Sequence, residues 1–123
     1  MTLQQAQSLT EHLLTSFGLN GWRVQLVNFP PLPEEENITI KGVKLPPLTR
    51  RRLGLCSYRR QTIDLSIPHV EQDSDDYVTE TIAEEVAHAL TPGDTDHGPR
   101  WRRAYENIRA TFPPEPRSEN ERW

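Results

Sequence analysis

The apolar positions at the start of the chain repeat at a helical spacing. Between residues 2 and 17 they recur every three to four residues, and Gly18 follows the last of them. This pattern predicts an amphipathic helix that ends at a glycine cap. Trp22, Val24 and Leu26 then alternate with polar residues, which predicts a half-buried strand.

A hairpin is predicted in the middle of the chain. Residues 53–58 and 62–67 both have strand-like composition, and the residues between them supply a turn. In the second strand, Ile63, Leu65 and Ile67 fall on one face. Because Pro68 has no N–H to donate to a ladder, the strand is expected to stop before it.

Two further helices are predicted in the C-terminal half. The first is capped by Asp73 or Ser74 and runs to about Leu90, and the second begins near Pro99 and carries an apolar stripe as far as Phe112. Strands and helices are therefore separated along the chain, which indicates the α+β class.

The remaining segments predict irregular structure around one domain at residues 1–112. Residues 28–50 hold two proline clusters and an acidic run, so we expect a long surface excursion with one short strand at 37–41. Residues 113–123 are rich in proline and charge, which predicts a disordered tail.

Composition narrows the class of protein. A chain of 123 residues suits one domain, and the net charge of -4 argues against a protein whose main role is to coat nucleic acid. Arginines cluster at 50–52, 59–60 and 100–103. They are interpreted either as ordinary solvated faces or as a local basic patch. The single cysteine, Cys56, excludes an intrachain disulfide and is interpreted as a small core residue. With no signal-like or membrane-spanning segment, we expect a cytoplasmic protein without a membrane partner.

The candidate chemistry lies on the helix that ends near Leu90 and just beyond it. Glu84 and His88 are one turn apart, so their side chains point the same way. His97 follows after a Pro-Gly break that lets the chain turn back. These three side chains can converge on one ion and leave a fourth position for water. Glu85 is placed to take a proton from a water that the metal activates.

This segment resembles the H-E-x-x-H motif of zincins, with Glu84 at the position of the first histidine. Its flanks are similar to the SprT-like family in particular. Residues 97–101, H-G-P-R-W, match the family's H-G-P-x-[WF] turn. Residues 52–56, R-L-G-L-C, and residues 63–66, I-D-L-S, match its two strand patterns. The resemblance spans roughly residues 3–110.

The resemblance implies a zincin-like fold made of an N-terminal helix, a small sheet, an active-site helix and a C-terminal helix. It implies a zinc-dependent peptidase with a protein or peptide substrate, in which His88 and His97 are zinc ligands and Glu85 is the catalytic base. A substrate peptide is expected to pair along the edge of the strand at 62–66. Some members act on DNA-bound proteins through an added element such as a zinc ribbon, which a chain with one cysteine lacks.

Three interpretations of Glu84 stay open. In the first interpretation, Glu84 is a zinc ligand, because zinc accepts carboxylate oxygen in His-His-Glu sets. The added negative charge would then make the zinc a weaker Lewis acid. Alternatively, the site binds metal poorly, or the residue has been replaced to disable the enzyme. The predicted function is a zinc metallopeptidase; the alternative is a degenerate or inactivated domain that binds protein or nucleic acid.

A few other residues carry expectations. His69 follows a proline in a predicted loop and is expected to be solvated. Asp94 and Asp96 are interpreted as turn residues or as partners that orient His97. Trp101 is expected to belong to the core.

Overall fold

The computed structural model describes residues 1–30 and 51–112 in full and the backbone of residues 39–40 and 43–44. The rest of the predicted excursion and the predicted tail lie outside the described residues. The elements, in chain order, are α1 (Leu3–Ser16), β1 (Arg23–Val27), β2 (Thr39–Ile40), β3 (Val43–Lys44), β4 (Gly54–Ser57), β5 (Thr62–Ser66), α2 (Ile67–Gln72), α3 (Asp75–Leu90) and α4 (Pro99–Ala110). Within the described ranges, no helix has the length and apolarity to cross a membrane.

Helix α1 begins and ends as its sequence predicts. The Thr2 side chain accepts a hydrogen bond from the Gln5 backbone N–H, and the Gln5 side chain accepts one from the Thr2 N–H, forming a capping box. At the other end, Gly18 has a φ of 73°, and the Leu19 N–H donates to the carbonyl of Leu14 at 2.8 Å. This is a Schellman-type end, which a glycine in the left-handed region allows.

The main sheet has the order β1-β5-β4, with β5 parallel to β1 and antiparallel to β4. All five residues of β5 are buried. The expectation that the strand at 62–66 offers an edge to a substrate is therefore wrong, because neighbours occupy both of its sides. Among the described residues, β4 pairs on one side only and forms the edge near α3. Strands β2 and β3 pair antiparallel as a separate two-stranded sheet.

The chain after β5 forms the short helix α2 instead of a loop. Ser66 caps this helix and Pro68 lies in its first turn. The prediction that His69 is solvated is wrong, because the residue is 0% exposed. Its Nδ1 lies 2.6 Å from Oδ2 of Asp73 and its Nε2 lies 2.8 Å from Oγ1 of Thr81. These partners satisfy both ring nitrogens, which is the condition for burying an imidazole.

Helix α3 lies at the centre of the core. Ser74 caps it, and its first turn is acidic, as the helix dipole favours. It packs against α1, α4 and β4. Its apolar stripe is buried and consists of Val78, Ile82, Val86 and Ala89. Each such side chain contributes about 1.5–3 kcal/mol when fully buried, the alanine less. The buried apolar face therefore fixes the position of α3 and of the polar residues on its other face.

Candidate metal centre

Two imidazole rings meet at the C-terminal end of α3. His88 lies in the last turn of the helix, and His97 lies in the loop before α4. Their Nε2 atoms are 2.9 Å apart. His88 is half-buried, whereas His97 is exposed to solvent. The loop therefore returns to the helix as the sequence predicts, and it brings both predicted histidine ligands to one point.

The distance between these nitrogens fits a shared metal ion. Two imidazole nitrogens bound to tetrahedral zinc, each at 2.0–2.1 Å, lie about 3.3 Å apart. The observed 2.9 Å corresponds to a hydrogen bond between the two rings, and it is within about half an ångström of that value. Burial, and then the neighbouring His97, lower the pKa of His88, which favours the neutral imidazole that a metal requires. The two histidines therefore provide two suitable zinc donors.

Glu84 lies beside this pair, one helical turn before His88. The residue is half-buried. Burial, and then the charge of Glu80, raise the pKa of Glu84, while His97 lowers it, so the carboxyl lies within electrostatic reach of that histidine. Among residues 1–30 and 51–112, however, no three side chains of the types His, Cys, Asp and Glu form a group that could hold a metal ion. Of the three predicted ligands, the structure thus brings the two histidines together and places the Glu84 carboxyl nearby without joining it to them.

Glu85 is held against the edge strand. A Cβ on Gly54 of β4 would lie only 3.0 Å from Cγ of Glu85 and 3.2 Å from Cγ2 of Thr81, so the glycine makes room for the close approach of α3. Burial, and then the charge of Glu84, raise the pKa of Glu85 to about 7, against an opposing effect of Arg52. A carboxyl with this pKa exchanges a proton near neutral pH, as a general base must.

Asp94 and Trp101 hold the loop that carries His97 in place. Both carboxylate oxygens of Asp94 accept backbone hydrogen bonds, one from Gly98 at 2.8 Å and one from Trp101 at 3.0 Å. Trp101 is buried, as predicted, and its ring stacks on the His97 ring. Asp94 is therefore a turn residue whose carboxylate accepts hydrogen bonds from the N-cap, Gly98, and from the first turn of α4. Asp96 makes no hydrogen bond to His97 among the described residues.

One contact at the site had no signal in the sequence. The hydroxyl of Tyr58, in the β4–β5 turn, donates to the backbone carbonyl of His88 at 2.6 Å. The same carbonyl also accepts from the Thr91 N–H at 3.1 Å, so the tyrosine adds a second hydrogen bond at the end of α3. Tyr58 also packs edge-on against Trp22, with ring centroids 6.2 Å apart. A turn tyrosine thus fixes the end of the helix that carries His88.

Cys56 is half-buried and lies outside the cluster of buried core residues, so the prediction that it is a small core residue is wrong. Burial, and then the charge of Glu85, raise its pKa to about 12. The thiolate required of a nucleophile is absent near neutral pH at that value.

Comparisons with known proteins agree with this architecture. A family model for the SprT-like family matches residues 34–121. The fold is similar to the crystal structure of the metallopeptidase zymogen of Methanocaldococcus jannaschii jannalysin, with a TM-score of 0.56 and 15% sequence identity over 94% of this chain and 85% of that chain. No curated protein matches the sequence. The predicted resemblance and the α+β zincin-like fold are confirmed.

Proposed function

Because the chain belongs to the SprT-like family, we propose that it is a zinc metallopeptidase that hydrolyses peptide bonds. The observation that carries the proposal is the approach of Nε2 of His88, on α3, to Nε2 of His97 at 2.9 Å. The same helix carries the half-buried Glu85. The likeness to a metallopeptidase fold supports it.

His88, His97 and Glu84 are the residues that would hold the zinc. A set of two imidazoles and one carboxylate is an established type of catalytic zinc site. Since Glu84 does not join the histidines in one group, its side chain must turn toward them to complete the set. When bound, zinc acts as a Lewis acid and lowers the pKa of water toward neutrality. The carboxylate makes that effect weaker than a third imidazole would.

Glu85 is the general base of the proposed reaction. Partial burial raises its pKa to about 7 in the metal-free protein, which strengthens it as a base, and its carboxylate would take the proton of the attacking water and pass it to the leaving amine. An exposed glutamate near its ordinary pKa would hold that proton too weakly at neutral pH. The burial of Glu85 behind Gly54 is therefore part of the proposed chemistry.

The edge of β4 is the proposed docking line for a peptide. An extended peptide can add to an exposed edge through backbone hydrogen bonds. A groove of about 460 Å³ lies at the start of this strand, between residues 51–54 and α3, and Glu80, Glu84 and Glu85 contribute to its lining. A peptide paired with β4 would thus pass the candidate base. This proposal replaces the expected pairing at the strand 62–66.

A second candidate function is a non-catalytic module that binds protein or nucleic acid. The observation that favours it is the absence, among the described residues, of a three-ligand group around the two histidines. Exposed arginines supply the surface for such a role, among them Arg102 and Arg103 on α4.

Zinc content separates the two functions. The parent chain and the variants Glu84→His and Glu84→Ala are purified without chelators and submitted to elemental analysis. We expect about one zinc per chain in the parent and in Glu84→His, and less in Glu84→Ala, because the alanine removes a ligand. Zinc in Glu84→His alone would support the non-catalytic module. No zinc in any of them would overturn the metallopeptidase proposal.

Peptide cleavage tests the role of Glu85. Casein cleavage that a chelator abolishes is expected of the parent. Glu85→Gln should keep its zinc and lose the cleavage, since glutamine has the shape of glutamate without its basicity. If the parent carries no zinc and instead binds DNA in a salt-dependent way that weakens in Arg102→Ala and Arg103→Ala, the module is the better account.

A further inference from the structure

His97 holds an unusual backbone conformation. Its φ is 54°, in the left-handed region that non-glycine residues rarely occupy. A residue persists there only where its surroundings over-determine the conformation, and such residues concentrate at functional sites. The neighbouring contacts of His97 therefore need an explanation beyond the capping of α4.

The first contact is the turn that Asp94 closes. Its Oδ1 accepts from the Gly98 N–H at 2.8 Å and its Oδ2 accepts from the Trp101 N–H at 3.0 Å. These bonds hold both ends of the segment that follows His97. A Cβ at position 98 would lie 2.6 Å from Oδ1, so only glycine permits the approach. Hydrogen bonds from Trp101 and Gly98 lower the pKa of Asp94, which keeps the accepting carboxylate charged.

The second contact is the indole of Trp101. Its ring lies nearly parallel to the His97 ring, with centroids 3.9 Å apart and an interplanar angle of 10°. Its Nε1–H donates to the backbone carbonyl of Glu84 at 3.3 Å. Tyr105 stacks on the indole in turn, at 5.2 Å and 11°. The Trp101 side chain thus contacts the face of the His97 imidazole and is itself hydrogen-bonded to the turn of α3 that carries Glu84.

We propose that Asp94 and Trp101 are positioning residues that set the His97 imidazole in its metal-binding orientation before a metal arrives. The stack covers the face of the ring and leaves its edge, with Nε2, directed to His88. A ligand held in this way loses less conformational freedom when it binds, so its affinity is higher. The inference rests on the proposed function, because it assigns the device to the metal site.

The variants separate the two contacts. Trp101→Phe keeps an aromatic ring against His97 but loses the N–H donor to Glu84, whereas Trp101→Leu loses both. Asp94→Ala removes the carboxylate that accepts from the Gly98 and Trp101 N–H groups and alters no buried core residue, so it tests the proposal if the buried Trp101→Leu variant is too unstable to study. The matched controls are Phe17→Leu, at a partly buried aromatic residue at the end of α1, and Asp96→Ala, at an aspartate in the same loop.

Two measurements on the full chain test the proposal. Zinc affinity is obtained by competition with a chromophoric chelator, in the parent and in a Glu84→His background. The chemical shifts of the His97 ring protons are recorded in metal-free protein, where a stacked indole displaces them from their free positions. Changes next to a metal ligand typically lower affinity about 10–100-fold. We expect that loss in Trp101→Leu and in Asp94→Ala, a smaller loss in Trp101→Phe, and none in the controls.

The outcomes distinguish the inference from the proposed function. If the parent or Glu84→His binds zinc and the variants at 94 and 101 bind it equally well, the positioning role is wrong while the metal site stands. If neither background binds zinc, the metal site fails and the positioning role fails with it. In Asp94→Ala, which keeps the indole, a loss of affinity with unchanged His97 ring shifts would also overturn the proposal, because the ring would not have moved.

Discussion

The half-buried carboxyl of Glu85 opposes folding when it is charged, and this effect can be measured in the metal-free protein. Burial raises its pKa from the ordinary 4.5 to about 7, with Glu84 as the second cause. Between these values the folded state holds a proton that the unfolded state has released, so stability falls as the pH rises from 4.5 through about 7. The interval corresponds to about 3 kcal/mol, at about 1.36 kcal/mol for each pH unit.

The change to make is Glu85→Gln, which keeps the shape of the side chain and removes its charge. Urea unfolding of the parent and the variant, both with a chelator present, gives the difference in free energy of unfolding at a series of pH values. We expect the variant to gain about 2.5 kcal/mol more at pH 8.5 than at pH 5. Glu71→Gln, at an exposed residue of α2, is the control and should show no such trend.

A stability difference that does not change with pH would refute this reasoning. It would mean that Glu85 ionises as easily in the folded protein as in the unfolded chain. The proposed general base would then lose the raised pKa that suits it to neutral pH. Because the chelator removes metal from both proteins, zinc binding does not enter the comparison.

Two further changes test the packing around the site. Gly54→Ala places a Cβ 3.0 Å from Cγ of Glu85. This overpacking should lower the free energy of unfolding by about 1–3 kcal/mol and should also lower peptidase activity. A melting temperature equal to that of the parent would contradict the close approach. His69→Ala empties a fully buried position and removes hydrogen bonds to Asp73 and Thr81, so urea unfolding should show a loss of about 2–5 kcal/mol, whereas His12→Ala, at an exposed residue of α1, should change little.

Local spacing predicted the features that depend on one element or on a short loop. The apolar stripe of α3 and the pairing of Glu84 with His88 on another face follow from 3.6 residues per turn. The return of His97 to the helix follows from the break after Leu90, and the structure brings it to His88. These predictions needed no knowledge of how distant segments pack.

The features that the sequence analysis got wrong depend on distant segments. The parallel pairing of β1 with β5 joins strands separated by a long stretch of chain, and it puts β5 inside the sheet and β4 at its edge. The burial of His69 depends on Thr81, which lies on another helix. One local signal was available, since His69 and Asp73 have the spacing of one helical turn after a Ser-x-Pro start.

A glutamate at position 84, where the zincin motif has a histidine, affects the proposed base Glu85 as well as the metal ligands. Glu84 adjoins Glu85, and its charge is the second cause of the raised pKa of that residue. A histidine at this position would remove a like charge from the base while it supplied a nitrogen donor. Higher activity in Glu84→His would therefore not by itself assign Glu84 as a poor ligand. Glu84→Gln removes the charge and retains an oxygen donor, so the two variants together distinguish the effect on the base from the effect on metal binding.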